Sequence, residues 1–212
     1  KEEPTDSEKI KLAGIFDPEE FGLSLDMWSD SNGKIIKSIL KKIDKTRISE
    51  DSKEILSIAL LTNSYIPQKN ITTEEFLDFK TKYLIKSEDL NLIKLFISKN
   101  KELENNDSLI IYYLDQNLSS SDLESACSIF DEVINYSNEY ISKFKIYCLY
   151  NENKKNEAQL LFDLKKELGF NDESFENKFN LLMGLSSKNN KEVSEKNILE
   201  FHISHRLDKN FS

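Results

Sequence analysis

The sequence predicts an all-α protein: antiparallel helical hairpins stacked as an α-solenoid, with an extended N-terminal arm. Three observations predict it. The 212 residues hold only five glycines and three prolines, too few for the tight turns of an all-β domain. From Lys34 onward, apolar residues recur with the 3.6-residue period of a helix. Helix-start signals then return every 31 to 35 residues or so, a spacing typical of solenoid repeats.

Residues 1–33 differ from the rest. They carry two of the three prolines and three of the five glycines, and their apolar residues come in pairs without sustained period. They are read as an arm lying on the body, anchored by Ile15, Phe16, Leu23, Leu25 and Trp28. Trp28, the only tryptophan, serves either as the arm's core anchor or as a partner-docking residue.

The helical-repeat region spans 34–212, with hairpins near 34–62, 72–99, 107–135, 138–168 and 172–205. In "KIIKSILKKI" the isoleucines and Leu40 share one face, opposite lysines. Ser49 opens the next helix, with Ile55, Leu56, Ala59 and Leu60 as its stripe, and Pro67 and "NITT" break the chain. Thr72 with Glu75 forms a capping box, followed by Phe76, Phe79, Lys80 and Tyr83 at helical spacing. Leu90 to Lys99 is its second helix. Asp107 caps "SLIIYYLDQ", and Ser121 with Glu124 suggests a second capping box before "LESACSIFDEVI". Asn138 caps "EYISKFKIYCLYN", Asn156 to Leu168 answers it, and Gly169 suits a helix C-terminus. Asp172 opens "ESFENKFNLLMG", again closed by glycine.

Composition limits the function. The formal charge is −9 and the pI about 5.0, a sign that repels phosphate backbones, so nucleic acid is not the expected partner. Lysines are interspersed with acids, which disfavours anionic membranes. No apolar run approaches the roughly 18 residues of a bilayer span. The chain does not begin with Met and stops just after a helical pattern, so it is read as part of something longer.

Small and aromatic residues recur in successive second helices: Leu92 with Phe96, Ala126 with Phe130, Ala158 with Phe162. The small residue lets two helix axes approach, and the aromatic fills the groove beyond it. On these residues, within "LESACSIFDEVIN" and "NEAQLLFDLKKEL", the chain resembles the tetratricopeptide repeat family over about 72–185. The first helices match less well: Lys145 stands where the repeat favours a small residue, and the usual proline after the second helix is missing. The resemblance implies an α-solenoid that binds proteins or peptides.

Cys127 and Cys148 fall on apolar faces of helices that a solenoid makes neighbours. They are either two buried thiols or a disulfide, which would imply an oxidising compartment such as a bacterial periplasm. His202 and His205 are three residues apart on one helix, with only Glu200 nearby, and are read as packing or exposed side chains. Acidic pairs such as Glu74/Glu75 and Asp131/Glu132 lie mostly at helix N-termini, where they complement the dipole. No phosphate loop, nucleophile elbow or zinc-spaced cysteine set is present. The sequence therefore implies no catalytic residue, cofactor or metal. Tyr112, Tyr113, Tyr140, Tyr147 and Tyr150 lie on first helices, which line the concave face of a solenoid, and are the candidate partner-binding residues. The expected function is a non-catalytic scaffold that binds a protein or peptide through that face, periplasmic or envelope-associated, otherwise cytoplasmic. The alternative is a structural or oligomerisation domain, or an accessory domain of an envelope enzyme whose catalytic part lies elsewhere.

Overall fold

A computed structural model of the chain describes residues 12–101, 103, 106–133, 136–186 and 193–207. The protein is predominantly helical, with ten α-helices among the described residues. It divides into two compact units, one running to residue 105 and the other beginning at Asn106.

The first unit contains α1 (Gly33–Asp44), α2 (Glu50–Leu61), α3 (Thr73–Ser87) and α4 (Leu90–Lys99). Local chemistry accounts for each start. Asn32, Ser49 and Asp89 accept backbone N–H groups of the first turns of α1, α2 and α4. The Thr72/Glu75 capping box is complete on α3. Phe76, Leu84, Ile93 and Phe96 are buried, as are Leu60 and Leu61 at the end of α2.

The structure groups the arm with α1–α4. Leu12–Ala13 (β1) pairs antiparallel with Ser64–Tyr65 (β2), Leu12 opposite Tyr65. Beyond it, the Ile15 and Phe16 N–H groups both donate to the Leu61 carbonyl, at 2.6 and 3.2 Å. Gly14 is required by close approach: a Cβ there would lie 2.4 Å from the Asn63 Cα. Ile15 is buried, and Trp28 packs edge-on against Phe76 at 5.6 Å. Leu25 departs from the expectation of an anchor. Its side chain is 39% exposed, and its carbonyl does the tethering by accepting the Tyr65 N–H. Nor is the arm extended throughout, because a 3-10 turn occupies Glu19–Phe21.

The second unit contains α5 (Asp107–Ser119), α6 (Leu123–Ser128), α7 (Glu139–Asn151), α8 (Lys155–Glu167), α9 (Glu173–Met183) and α10 (Ile198–Leu207). Its centre is α7, which packs against α5, α6, α8 and α9. Ala126 and Ala158 are fully buried, and Phe162 meets Phe170, Phe175 and Phe179 at 5.0–6.2 Å. The first helices α3, α5, α7 and α9 begin at residues 73, 107, 139 and 173.

Four details differ from the sequence reading. Asp107, expected to cap α5, is instead its first residue, and Asn106 holds the cap position. The cap of α6 is Asp122, which accepts the Ser125 N–H, while Ser121 takes a left-handed φ of 61° to complete the preceding turn. The α-helix of that pair ends at Ser128 and tightens into a 3-10 turn over Ile129–Asp131. Finally, α10 packs on α9, its expected hairpin partner, and also on α5, which opens the unit.

Candidate functional site

The site is the surface where α10 lies on the first helices of the second unit. It begins with α7, which is buried on nearly every face: Ile141, Lys143, Phe144, Ile146, Tyr147 and Cys148 are all inside. A helix surrounded in this way cannot present most of its side chains to solvent. Cys148 faces α6, and its sulfur is bonded to that of Cys127, with the two Cα atoms 5.5 Å apart. The bond ties the second helix of one hairpin to the first helix of the next.

Upon this frame α10 buries Leu199 and Ile203, one helical turn apart, together with Glu200 and Ser204. The Glu200 carboxylate is fully buried. One of its oxygens accepts from the hydroxyls of Ser174 at 2.8 Å and Ser194 at 3.0 Å. The other accepts from Asn197 at 3.2 Å. Lys178 on α9 lies 3.5 Å away and Lys143 on α7 lies 3.9 Å away. Burial pushes this carboxyl up, but the three hydrogen bonds outweigh it and hold it below its ordinary value.

Asp172 caps α9 by accepting the Phe175 N–H, and it also accepts from Lys143 and from Lys196, the latter at 2.8 Å. Burial opposes its ionisation, yet these three donors hold its carboxyl well below the usual carboxylate range. Lys143 thus sits between two carboxylates, over the rings of Phe170 and Phe175. Beside it opens a cavity of about 670 Å³, whose walls include Asn138, Tyr140, Lys143, Asp172, Lys196 and Asn197.

The five candidate tyrosines divide. Tyr140 donates to Asp115 at 2.7 Å and accepts the Leu199 N–H at 3.3 Å. Burial and the Asp115 carboxylate push its phenol well above the usual range, and burial likewise raises Asp115. Tyr147 is fully buried, and its hydroxyl accepts from Arg206 at 3.0 Å. The same guanidinium donates to Asn151 and lies 5.9 Å from the rings of Tyr147 and Tyr150. His202 meets the Tyr147 ring edge-on at 5.8 Å, and burial, then the Arg206 charge, lowers its pKa. Tyr113 is buried and donates to the Ser125 carbonyl on α6. Only Tyr112 and Tyr150 keep partly exposed side chains with no hydrogen bond to α10. The expectation of exposed tyrosines therefore fails for Tyr113 and Tyr147. The first is consumed by its own hairpin, and the second is sandwiched by α10.

Three features escaped the sequence reading. The Lys143–Asp172–Glu200 cluster was hidden because its members lie on three helices. Asn100, just past the end of α4, clamps the Gly14 backbone with its amide, accepting its N–H at 3.1 Å and donating to its carbonyl at 3.0 Å. Lys80 is fully buried in the first unit, donating to the Ala13 carbonyl at 2.6 Å beside the Phe76 ring. Burial lowers its pKa to about 7, with no carboxylate paired to it among the described residues. Its place four residues after Phe76, within an apolar stripe, was the available signal.

Among the described residues, no cluster of three or more His, Cys, Asp or Glu could hold a metal, and no helix is long and apolar enough to cross a membrane. Comparison with known proteins finds no matching family model, curated protein or solved structure.

Proposed function

We propose that this chain is a non-catalytic protein-interaction domain, a TPR-like α-solenoid module that engages a partner through the face of its first helices. The observation that carries this reading is the seating of α10. The side of α5, α7 and α9 that a helical-repeat array would present is shaped and charged to accept a helix, and holds one. The polar groups gathered there satisfy one another, which favours a recognition surface over a reaction centre. The Cys127–Cys148 bond supports an oxidising compartment, and we place the domain in bacterial cell-envelope assembly.

The test is site-specific photo-crosslinking in the native cells. A photoreactive residue replacing Tyr112 or Tyr150 should trap a discrete partner protein, whereas one at Leu160 on α8 should not. Crosslinks from Leu160 alone would assign the partner to the wrong face.

A second reading, an oligomerisation domain, is favoured by a different observation. Leu160, Leu164 and Leu168 follow one face along α8 and just past its end, and are 70%, 47% and 73% exposed. Sedimentation velocity on the wild type and on Leu160→Lys/Leu164→Lys decides it. A concentration-dependent dimer abolished by the substitutions supports self-association.

A further inference from the structure

We propose that copies of this chain associate through unlike faces, the basic aliphatic face of α1 on one copy meeting the acidic aliphatic face of α8 on another. This rests on the oligomerisation reading above and names both sides of the contact.

Each face is an exposed ridge. On α8, Leu160 and Leu164 stand four residues apart, 70% and 47% exposed, and Leu168 continues the line at 73%. On α1, Ile35 and Ile39 have the same spacing and are 59% and 50% exposed. Residues four apart form one ridge along a helix, and two such ridges interlock where helices pack. Neither ridge contributes to the core of its own unit: α1 buries only Gly33 and Ile36, and α8 only Ala158 and Phe162.

Charge distinguishes the two. Lys42 follows Ile39 by three residues and so shares its face, with Lys34 and Lys41 also exposed. None of these three lysines forms an ion pair among the described residues, and the one acid of α1, Asp44, is taken by Lys86 at 2.6 Å. On α8, Glu167 follows Leu164 by three residues and Glu157 precedes Leu160 by three, both exposed. Neither forms an ion pair among the described residues, whereas every lysine of α8 is engaged: Lys166 with Glu176 at 2.6 Å, Lys155 and Lys165 over the rings of Tyr150 and Tyr136. The two patterns match position for position. Each has two aliphatic residues four apart and a charge three further on, lysine on α1 and glutamate on α8.

Pairing α8 with its own copy would set acid against acid, with no free lysine to answer. Pairing it with α1 supplies that lysine. An acid stands at each end of the Leu160–Leu164 ridge, so Lys42 meets Glu167 where the helices run parallel and Glu157 where they run antiparallel.

The experiment is sedimentation velocity of the full chain up to about 1 mM, since so small a contact belongs to the weak class of associations. The wild type should associate. Lys41→Glu/Lys42→Glu should weaken the association about tenfold, and Glu157→Lys/Glu167→Lys should do the same. A chain carrying all four substitutions should recover the wild-type affinity, because each reversed face again meets its opposite. A fourfold variant that stays as weak as either pair overturns the proposal. So does wild-type affinity in the Lys41→Glu/Lys42→Glu chain; loss of association in Leu160→Lys/Leu164→Lys would then leave the oligomerisation reading standing without α1. A wild type that is monomeric throughout removes both. Should a variant fail to fold, the salt response of the wild type decides: weaker association between about 0.05 and 0.5 M salt supports the contact, and an unchanged one overturns it.

Discussion

Replacing Cys127 and Cys148 together by alanine should weaken the second unit selectively. The bond joins positions 21 residues apart, so it restricts the unfolded chain by closing a loop of that size. In the chain-entropy treatment such a loop is worth about 3 kcal/mol. That amounts to roughly a 100-fold change in the unfolding equilibrium. With a urea dependence of about 1–3 kcal/mol per molar, the midpoint should fall by about 1–3 M. The urea dependence itself should steepen, because the reduced unfolded chain exposes more surface. The protein provides its own control. Its one tryptophan, Trp28, packs on Phe76 in the first unit, so tryptophan fluorescence follows that unit. Far-ultraviolet circular dichroism follows both. The dichroism transition should split, with the Trp28 transition unmoved and a second one at lower urea. Equal midpoints for oxidised, reduced and double-alanine chains would refute the loop-closure argument. Two free thiols counted in the denatured, non-reduced protein would refute the bond itself.

Lys80→Met should abolish a pH dependence of the first unit. Because the folded pKa is lowered to about 7 from 10.5, the unfolded chain binds a proton between those values that the folded chain does not. Wild-type stability should therefore rise with pH across that window, and the methionine variant should lack this rise and be the more stable at pH 6, as urea titrations followed at Trp28 would show. Gly14→Ala should cost about 3 kcal/mol, since its Cβ would strike the Asn63 and Thr62 backbone, whereas Gly22→Ala meets no atom within 4 Å and should cost about 1 kcal/mol through backbone strain alone; thermal unfolding separates the two. Asp172→Asn keeps the cap on α9 but strips Lys143 of its closest anion, and should cost about 3 kcal/mol in urea at pH 7. Because the Asp172 pKa is depressed in the folded state, the wild type should also lose stability as pH falls below about 3.8, and the asparagine variant should lose less.

How much of this was legible in the sequence follows from range. The Thr72/Glu75 box, the Asn138 and Asp172 caps and the glycines closing α8 and α9 involve groups a few residues apart, and each was readable from the chain. Ala126 and Ala158 announced close helix contacts because a small residue in an apolar stripe has few other uses. The cysteine pair could be placed on neighbouring helices, but whether the sulfurs met depended on how those helices rotate against each other. Tyr147 and Tyr150 look equivalent in sequence. Only the placement of α10 buries the first and leaves the second at the rim.

By itself, then, the sequence determined that the chain is helical, where most helices start and stop, and which stripes face inward, because backbone hydrogen bonding and side-chain periodicity act within a few turns. Tertiary structure decided what fills each seat: α10 on α5 and α9, residues 12–16 against Leu61 and Asn100, and Lys143 between Asp172 and Glu200. The polar contacts among them join groups 26 to 86 residues apart, and their worth depends on burial that no local pattern encodes.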